Sequence, residues 1–167
     1  DLAKEFGLGF IARPGPFTMA EMKNEGLPYW LYQKHPEIIP SGWDGAKATT
    51  PTVDYLSPSF LEEAKRWYDH ILAIISPRLQ SKGGNVIALQ LDNEIGMLSW
   101  VTNIPDLTEV TLKDLAQWLK ARYSPDDLKA RYPFDLDQPL QRGKAFRSPQ
   151  ESYAAALFRD LGHYQRN

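Results

Sequence analysis

Apolar positions along the chain fall into two patterns: short unbroken runs bounded by glycine or proline, and longer stretches where they return every three or four residues. Leu8-Gly9-Phe10-Ile11-Ala12-Arg13 is of the first kind; it ends at Pro14 and predicts a buried strand. Arg13-Pro14-Gly15-Pro16 then leaves in an extended path, because a residue before proline avoids the helical region. Val86-Ile87-Ala88-Leu89-Gln90-Leu91, after a Lys82-Gly83-Gly84 turn, predicts a second strand. Leu61, Ala64, Tyr68, Ile71, Leu72 and Ile75 have helical spacing and predict a helix with one buried face. Ser57-Pro58 supplies its cap and first position, and Pro77 ends or kinks it. Leu112, Leu115, Ala116 and Leu119 mark another helix, from Thr111 to about Tyr123. Ser124-Pro125 and Ser148-Pro149 open two more, and Glu151 completes a capping box with Ser148. Asp1 to Gly7 has the form of a last helical turn closed by glycine. From Lys34 to Tyr55 there are prolines and glycines without periodicity, which predicts a long loop, functional or disordered.

Two apolar strands joined through a long helix make a βαβ unit with parallel strands, so the fold class is α/β. Chemistry in such folds gathers where strands give way to loops at their C-terminal ends. The segments to inspect are therefore Arg13 to Asn24 and Gln90 to Trp100. The length, 167 residues, suits one compact domain. A net charge of -2, from 19 basic and 21 acidic residues, carries no basic surplus for a nucleic-acid partner. No cysteine is present, which removes disulfides, thiolate metal sites and cysteine nucleophiles. No apolar run approaches the roughly 20 residues that span a bilayer, so no membrane partner is expected. The helical turn at the start and the helix still running from Ser148 to Asn167 predict a piece of a larger protein.

The most informative stretch is Gln90-Leu91-Asp92-Asn93-Glu94-Ile95-Gly96, where a hydrophobic strand gives way to polar side chains. Strict alternation puts Gln90, Asp92 and Glu94 on one face and Asn93 on the other. Bringing both Asn93 and Glu94 into a site requires a twist or bulge at the strand end. Carboxylates there are costly in a dry core unless paired or used. The plainest alternative is a strand-end carboxylate satisfied by an arginine.

Leu91-Asp92-Asn93-Glu94-Ile95-Gly96 after an apolar strand resembles the Asn-Glu signature of retaining glycoside hydrolases with a (β/α)8 barrel. Ile11-Ala12-Arg13-Pro14-Gly15-Pro16-Phe17, then Ala20-Glu21, then Gly26-Leu27-Pro28-Tyr29-Trp30-Leu31, is similar in order and spacing to the family 35 β-galactosidases. The resemblance covers about residues 1–100; residues 101–167 look only loosely like the helical region after the fourth strand in the related family 42 enzymes. It implies that residues 1–167 are a fragment of a catalytic barrel domain, a partial barrel of about strands three and four with their helices and loops. Glu94 would be the general acid/base, protonating the departing glycosidic oxygen and then deprotonating water. Asn93 would hydrogen-bond the sugar 2-hydroxyl, while the Ala20 backbone and the Glu21 carboxylate would bind hydroxyls of a terminal galactose. The nucleophile would lie on the seventh strand, outside this chain, because a barrel of this type needs about 250 residues. The implied substrate is a β-galactoside, with no cofactor and no metal; a β-glucoside, β-mannoside or glucosaminide specificity, or a non-catalytic carbohydrate-binding or scaffold role, are the rival readings. The sequence departs from the family pattern at Phe17 (usually tyrosine), Met19 (often cysteine) and Met22 (often tryptophan), and Asn24-Glu25-Gly26 replaces a glycine-rich turn. These changes cluster in the sugar-binding loop.

Other signals are weaker. Gly7-Leu8-Gly9 precedes a strand rather than following one, so it is a poor dinucleotide loop. His35, His70 and His163 lack metal-ligand spacing. Trp43, Trp100, Trp30 and Tyr55 are candidates to stack on a sugar ring; Trp100, in a loop near the expected site, is taken as a substrate contact, and packing is the simpler role for Trp30 and Trp67. Asp54 and Glu37 are read as solvated loop residues, and Glu62-Glu63 as favouring the helix dipole with no further role.

Overall fold

A computed structural model describes residues 2–18, 22–42, 45–49, 52–93, 107–146, 160 and 163–164. They divide into two compact units: residues 1–38 with 58–95, and residues 39–57 with 96–167.

The first unit holds the βαβ motif. A short helical turn, α1 (Leu2–Glu5), ends at Gly7 with φ 67°, and leads into β1 (Phe10–Ala12). The crossover carries α2 (Tyr29–Lys34) and the long helix α3 (Pro58–Ile75), which returns the chain to β2 (Val86–Leu89). The strands pair in parallel, as the pattern predicts, with Phe10 opposite Val86, Ile11 opposite Ala88 and Ala12 opposite Leu89. Ile87 is thus an extra residue in β2, a bulge that turns the strand before its polar end. Backbone bonds continue the pairing past both ends, from Phe10 N–H to Asn85 O (2.7 Å) and from Gln90 N–H to Ala12 O (2.8 Å).

Ala12, Val86 and Ile75 form a small core, with Ile71, Leu72 and Leu79 packed against it. The α3 face is narrower than its periodicity predicts: Phe60 and Ile75 are buried, whereas Leu61 is exposed. The expectation of a buried first strand is also corrected. Phe10, Ile11, Ile87, Leu89 and Leu91 are exposed, because the described sheet has two strands and α3 covers only part of it. Parallel sheets ordinarily have both faces covered.

α2 is joined to α3 by charge. The Glu63 carboxylate accepts from Lys34 (2.6 Å) and Arg66 (3.2 Å) and meets His35 Nε2 at 3.2 Å, so Glu63 has a role beyond the helix dipole. The bonds from Lys34 and His35 hold its carboxyl below the ordinary range. Glu37 is exposed as expected and accepts from Ser59.

The second unit is helical. Thr108 caps α4 (Glu109–Arg122) and Ser124 caps α5 (Pro125–Arg131), each accepting from the N–H three residues on. A further helix, α6 (Pro139–Phe146), was not evident in the pattern; Gly143 interrupts its apolar face. Leu107, Leu112, Leu115, Ala116, Leu119, Tyr132, Leu136 and Phe146 make its core, with the aromatic rings of Tyr132, Phe134 and Phe146 edge to face. Asp160, fully buried, accepts from the hydroxyls of Tyr123 (2.6 Å) and Tyr132 (2.7 Å). The long loop is tied down here. Ser41 bridges Lys47, and Asp54, expected to be solvated, is 1% exposed. Its carboxylate accepts from the Thr108 hydroxyl (2.5 Å) and from Leu56 N–H (2.9 Å), so burial is matched by hydrogen bonds. The predicted helix opening at Ser148-Pro149 lies outside the described residues.

The turn before β2 has one position with no room. A Cβ on Gly84 would lie 2.0 Å from the Arg78 carbonyl oxygen, which is backbone and cannot swing aside. On Gly9 it would meet the Ile87 side chain, from 2.9 Å at its Cδ1, and that exposed side chain can move. Gly84→Ala is expected to destabilise the protein by about 2 kcal/mol or more and Gly9→Ala by under about 1 kcal/mol; urea denaturation of both variants checks the order.

Candidate active site

Tyr68 of α3 organises the strand ends. Its hydroxyl lies 2.7 Å from the carbonyl oxygen of Gly15, just past β1, and 2.9 Å from that of Leu91, just past β2. One proton serves both carbonyls, so a single side chain holds the two exits together. The preceding residue, Trp67, adds a bond from its ring N–H to Pro14 O (2.8 Å). Trp67 is therefore half exposed with its polar end used, rather than simply packed.

Beyond Leu89 the chain leaves the strand geometry. Gln90 Nε2 donates to Asn93 Oδ1 at 2.6 Å. In an extended strand, residues three apart point to opposite faces and their Cα atoms are separated by about 10 Å. The contact therefore requires the turn that strict alternation had to be broken to allow. Asn93 N–H donates back to Asp92 Oδ1 (2.8 Å), closing the bend. Burial raises the Asp92 carboxyl above its ordinary value, opposed by that N–H. Tyr68 is raised by burial and then by the Asp92 charge.

The loop after β1 is closed by its own ends. Thr18 N–H donates to Glu25 O (2.9 Å), and the Thr18 hydroxyl lies 3.2 Å from the same oxygen. Asn24 and Glu25 both have φ near 53°, and Gly26 has φ 93°. Three successive left-handed residues explain why a glycine-rich turn suits this place, and why Asn24-Glu25 is a costly substitute for it. A Cβ on Gly26 would also meet the Thr18 hydroxyl oxygen at 2.4 Å. Phe17 is buried and Met22 exposed on either side of the loop. Tyr32, in α2, has a buried hydroxyl whose pKa burial, with the charge of Glu25, pushes up to about 12.

Of the residues predicted to act, Asn93 is described and sits at the bend. Glu94, Ala20, Glu21, Trp100 and Trp43 lie outside the described residues. Trp30 is half exposed, with Lys34 Nζ 5.9 Å from its ring centre. Alternation places Gln90 on the strand face without a role, and periodicity places Tyr68 on the apolar face of α3. A tyrosine at a core-facing position was the available signal, since its hydroxyl needs a partner. Among the described residues, no group of three or more His, Asp or Glu side chains is placed to hold a metal ion. Nor is any helix among them long and apolar enough to cross a membrane.

Residues 1–126 match the glycosyl hydrolases family 35. The chain belongs to that family. Family 35 members are glycoside hydrolases on a (β/α)8 barrel. Among relatives, the chain is 37% identical over 140 residues to an exo-β-D-glucosaminidase of Pyrococcus horikoshii, a match covering 79% of this chain and 18% of that protein. It is 34% identical over 123 residues to a β-1,2-glucosyltransferase of Ignavibacterium album, covering 73% of this chain and 17% of that protein. Over 95 residues it is 35% identical to the β-galactosidase of Homo sapiens, covering 57% and 12%. The chain thus spans less than one fifth of the length of the curated relatives it matches.

Because the folded Asp92 carboxyl holds its proton more tightly than the unfolded one, its contribution to stability falls as pH rises from the ordinary value of 3.8 toward the raised folded-state value. Asp92→Asn should flatten the stability profile in that window, as followed by denaturation at a series of pH values; an unchanged slope would contradict the assignment of burial as the cause.

Proposed function

We propose that this chain supplies the acid/base side of a retaining β-glycosidase site that acts on terminal β-D-galactosides. The observation that carries the reading is the joining of the two strand exits at Tyr68, with Asn93 turned by Gln90 immediately before Glu94. Glu94 protonates the glycosidic oxygen as the bond to the leaving group breaks, then removes a proton from the water that releases the sugar. Asn93 bonds the 2-hydroxyl, an interaction that strengthens toward the oxocarbenium-like transition state. The Ala20 backbone and Glu21 carboxylate bind further hydroxyls, and Trp100 offers a stacking face to the ring. The Thr18–Glu25 closure supports this use of residues 20 and 21, because it fixes the ends of the loop that carries them.

The nucleophile comes from another part of the complete barrel. The exposed apolar residues of β1 and β2 support that reading, since further strands of the same barrel would cover them. A second specificity has support of its own. The glucosaminidase relative matches more of the chain than the β-galactosidase does, which favours a 2-amino sugar. Aryl β-galactoside and aryl β-glucosaminide, assayed side by side with the complete protein, separate the two.

In that protein, Glu94→Gln is expected to lower turnover at least about 100-fold on glycosides with poor leaving groups. With an activated aryl leaving group, glycosylation should lose less, because protonation is needed less, while deglycosylation should still be slowed. Steady-state and burst kinetics on the two substrate types measure this, and near-normal turnover on poor leaving groups would sink the assignment.

A further inference from the structure

We propose that Gln90 is a positioning residue that sets the amide of Asn93, so that the sugar meets Asn93 Nδ2 as a donor rather than Oδ1 as an acceptor. This rests on the reading of Asn93 as the residue that bonds the 2-hydroxyl.

A primary amide is nearly symmetric in shape but opposite in chemistry at its two ends: Nδ2 carries two N–H donors and Oδ1 only accepts. An asparagine in a sugar site therefore has two orientations of similar bulk and different preference for a ligand. In this chain the choice is tied to a neighbour. Gln90 Nε2 donates to Asn93 Oδ1 at 2.6 Å, which occupies the acceptor end. Turning the Asn93 amide by itself would set N–H against N–H at that separation, a repulsive contact of two donors. Among the described residues nothing accepts from Asn93 Nδ2, so the donor end is left for a ligand.

The backbones of both partners are anchored, which fixes where the two amides meet. Gln90 N–H is bonded to Ala12 O across the sheet, and Asn93 N–H to the Asp92 carboxylate. Both side chains are half-buried, where an amide–amide bond competes less with water than at the surface. The consequence is chemical: the sugar's 2-oxygen accepts from Asn93, and its own hydroxyl proton is left to another acceptor. A ligand with hydrogen in place of that oxygen gains nothing from Asn93.

The test uses the complete enzyme and a pair of aryl β-glycosides, one with the 2-hydroxyl and its 2-deoxy counterpart. Gln90→Met removes the donor at similar size. Gln90→Glu offers only acceptors and draws Asn93 Nδ2 inward, presenting Oδ1 to the sugar. Both should lower kcat/KM on the 2-hydroxy glycoside about tenfold or more, chiefly through kcat. On the 2-deoxy glycoside both should change it by less than about twofold, so the preference for the 2-hydroxyl collapses. A loss that is equal on the two substrates, or no loss at all, in correctly folded Gln90→Glu would overturn the proposal. Asn93→Ala separates the layers. If it also abolishes the preference, failure of the Gln90 variants counts against Gln90 alone. If it leaves the preference intact, the reading of Asn93 is wrong and the inference falls with it.

Discussion

One hydroxyl fixes the geometry on which the site depends. The Tyr68 O–H lies between the Gly15 and Leu91 carbonyls, the first turned out of β1 and the second out of β2. Strand pairing alone ends at the bond from Gln90 N–H to Ala12 O, and past it the two chains are free to diverge. A parallel pair cannot be closed by a hairpin, so another element must hold its exits. Here α3 does so, using a side chain that the crossover topology lays along both strands. Trp67 adds a second tie to the first exit, at Pro14.

From that constraint the local chemistry follows in order. The Ile87 bulge turns β2 before its polar end, and the Gln90–Asn93 contact completes the change from strand to bend. Burial then raises Asp92, whose Oδ1 is committed to the Asn93 N–H. Across the site, Thr18 closes the loop after β1 over three left-handed residues, Asn24 to Gly26. The chain accepts that backbone cost in the loop proposed to carry the sugar contacts of Ala20 and Glu21. Strained backbone concentrates where geometry matters more than stability.

Much of this was legible in the sequence. Apolar runs bounded by glycine and proline gave both strands, and the Ser-Pro devices at Ser57-Pro58 and Ser124-Pro125 gave helix starts to the residue. The Arg13–Leu31 block and Asp92-Asn93-Glu94 gave the family. What the sequence pattern does not carry depends on partners distant in the chain. Asp54 looks like any loop aspartate until Thr108 arrives to bond it, 54 residues later. Glu63 looks like a dipole partner until Lys34 and His35 are placed beside it. Periodicity assigned Leu61 to the α3 core, yet the helix has little to pack against at that level and leaves it exposed. Periodicity counts the Tyr68 ring as apolar and ignores its hydroxyl.

The roles proposed here are Glu94 as acid/base and a nucleophile elsewhere in the complete barrel. Trapping the complete enzyme with an activated 2-deoxy-2-fluoro β-galactoside, followed by peptide mapping of the covalent adduct, tests them most directly. A retaining mechanism accumulates the glycosyl-enzyme ester on its nucleophile. The label is expected on a carboxylate outside residues 1–167, with Glu94 and Glu21 unmodified. A label on Glu94 or Glu21 would contradict these roles.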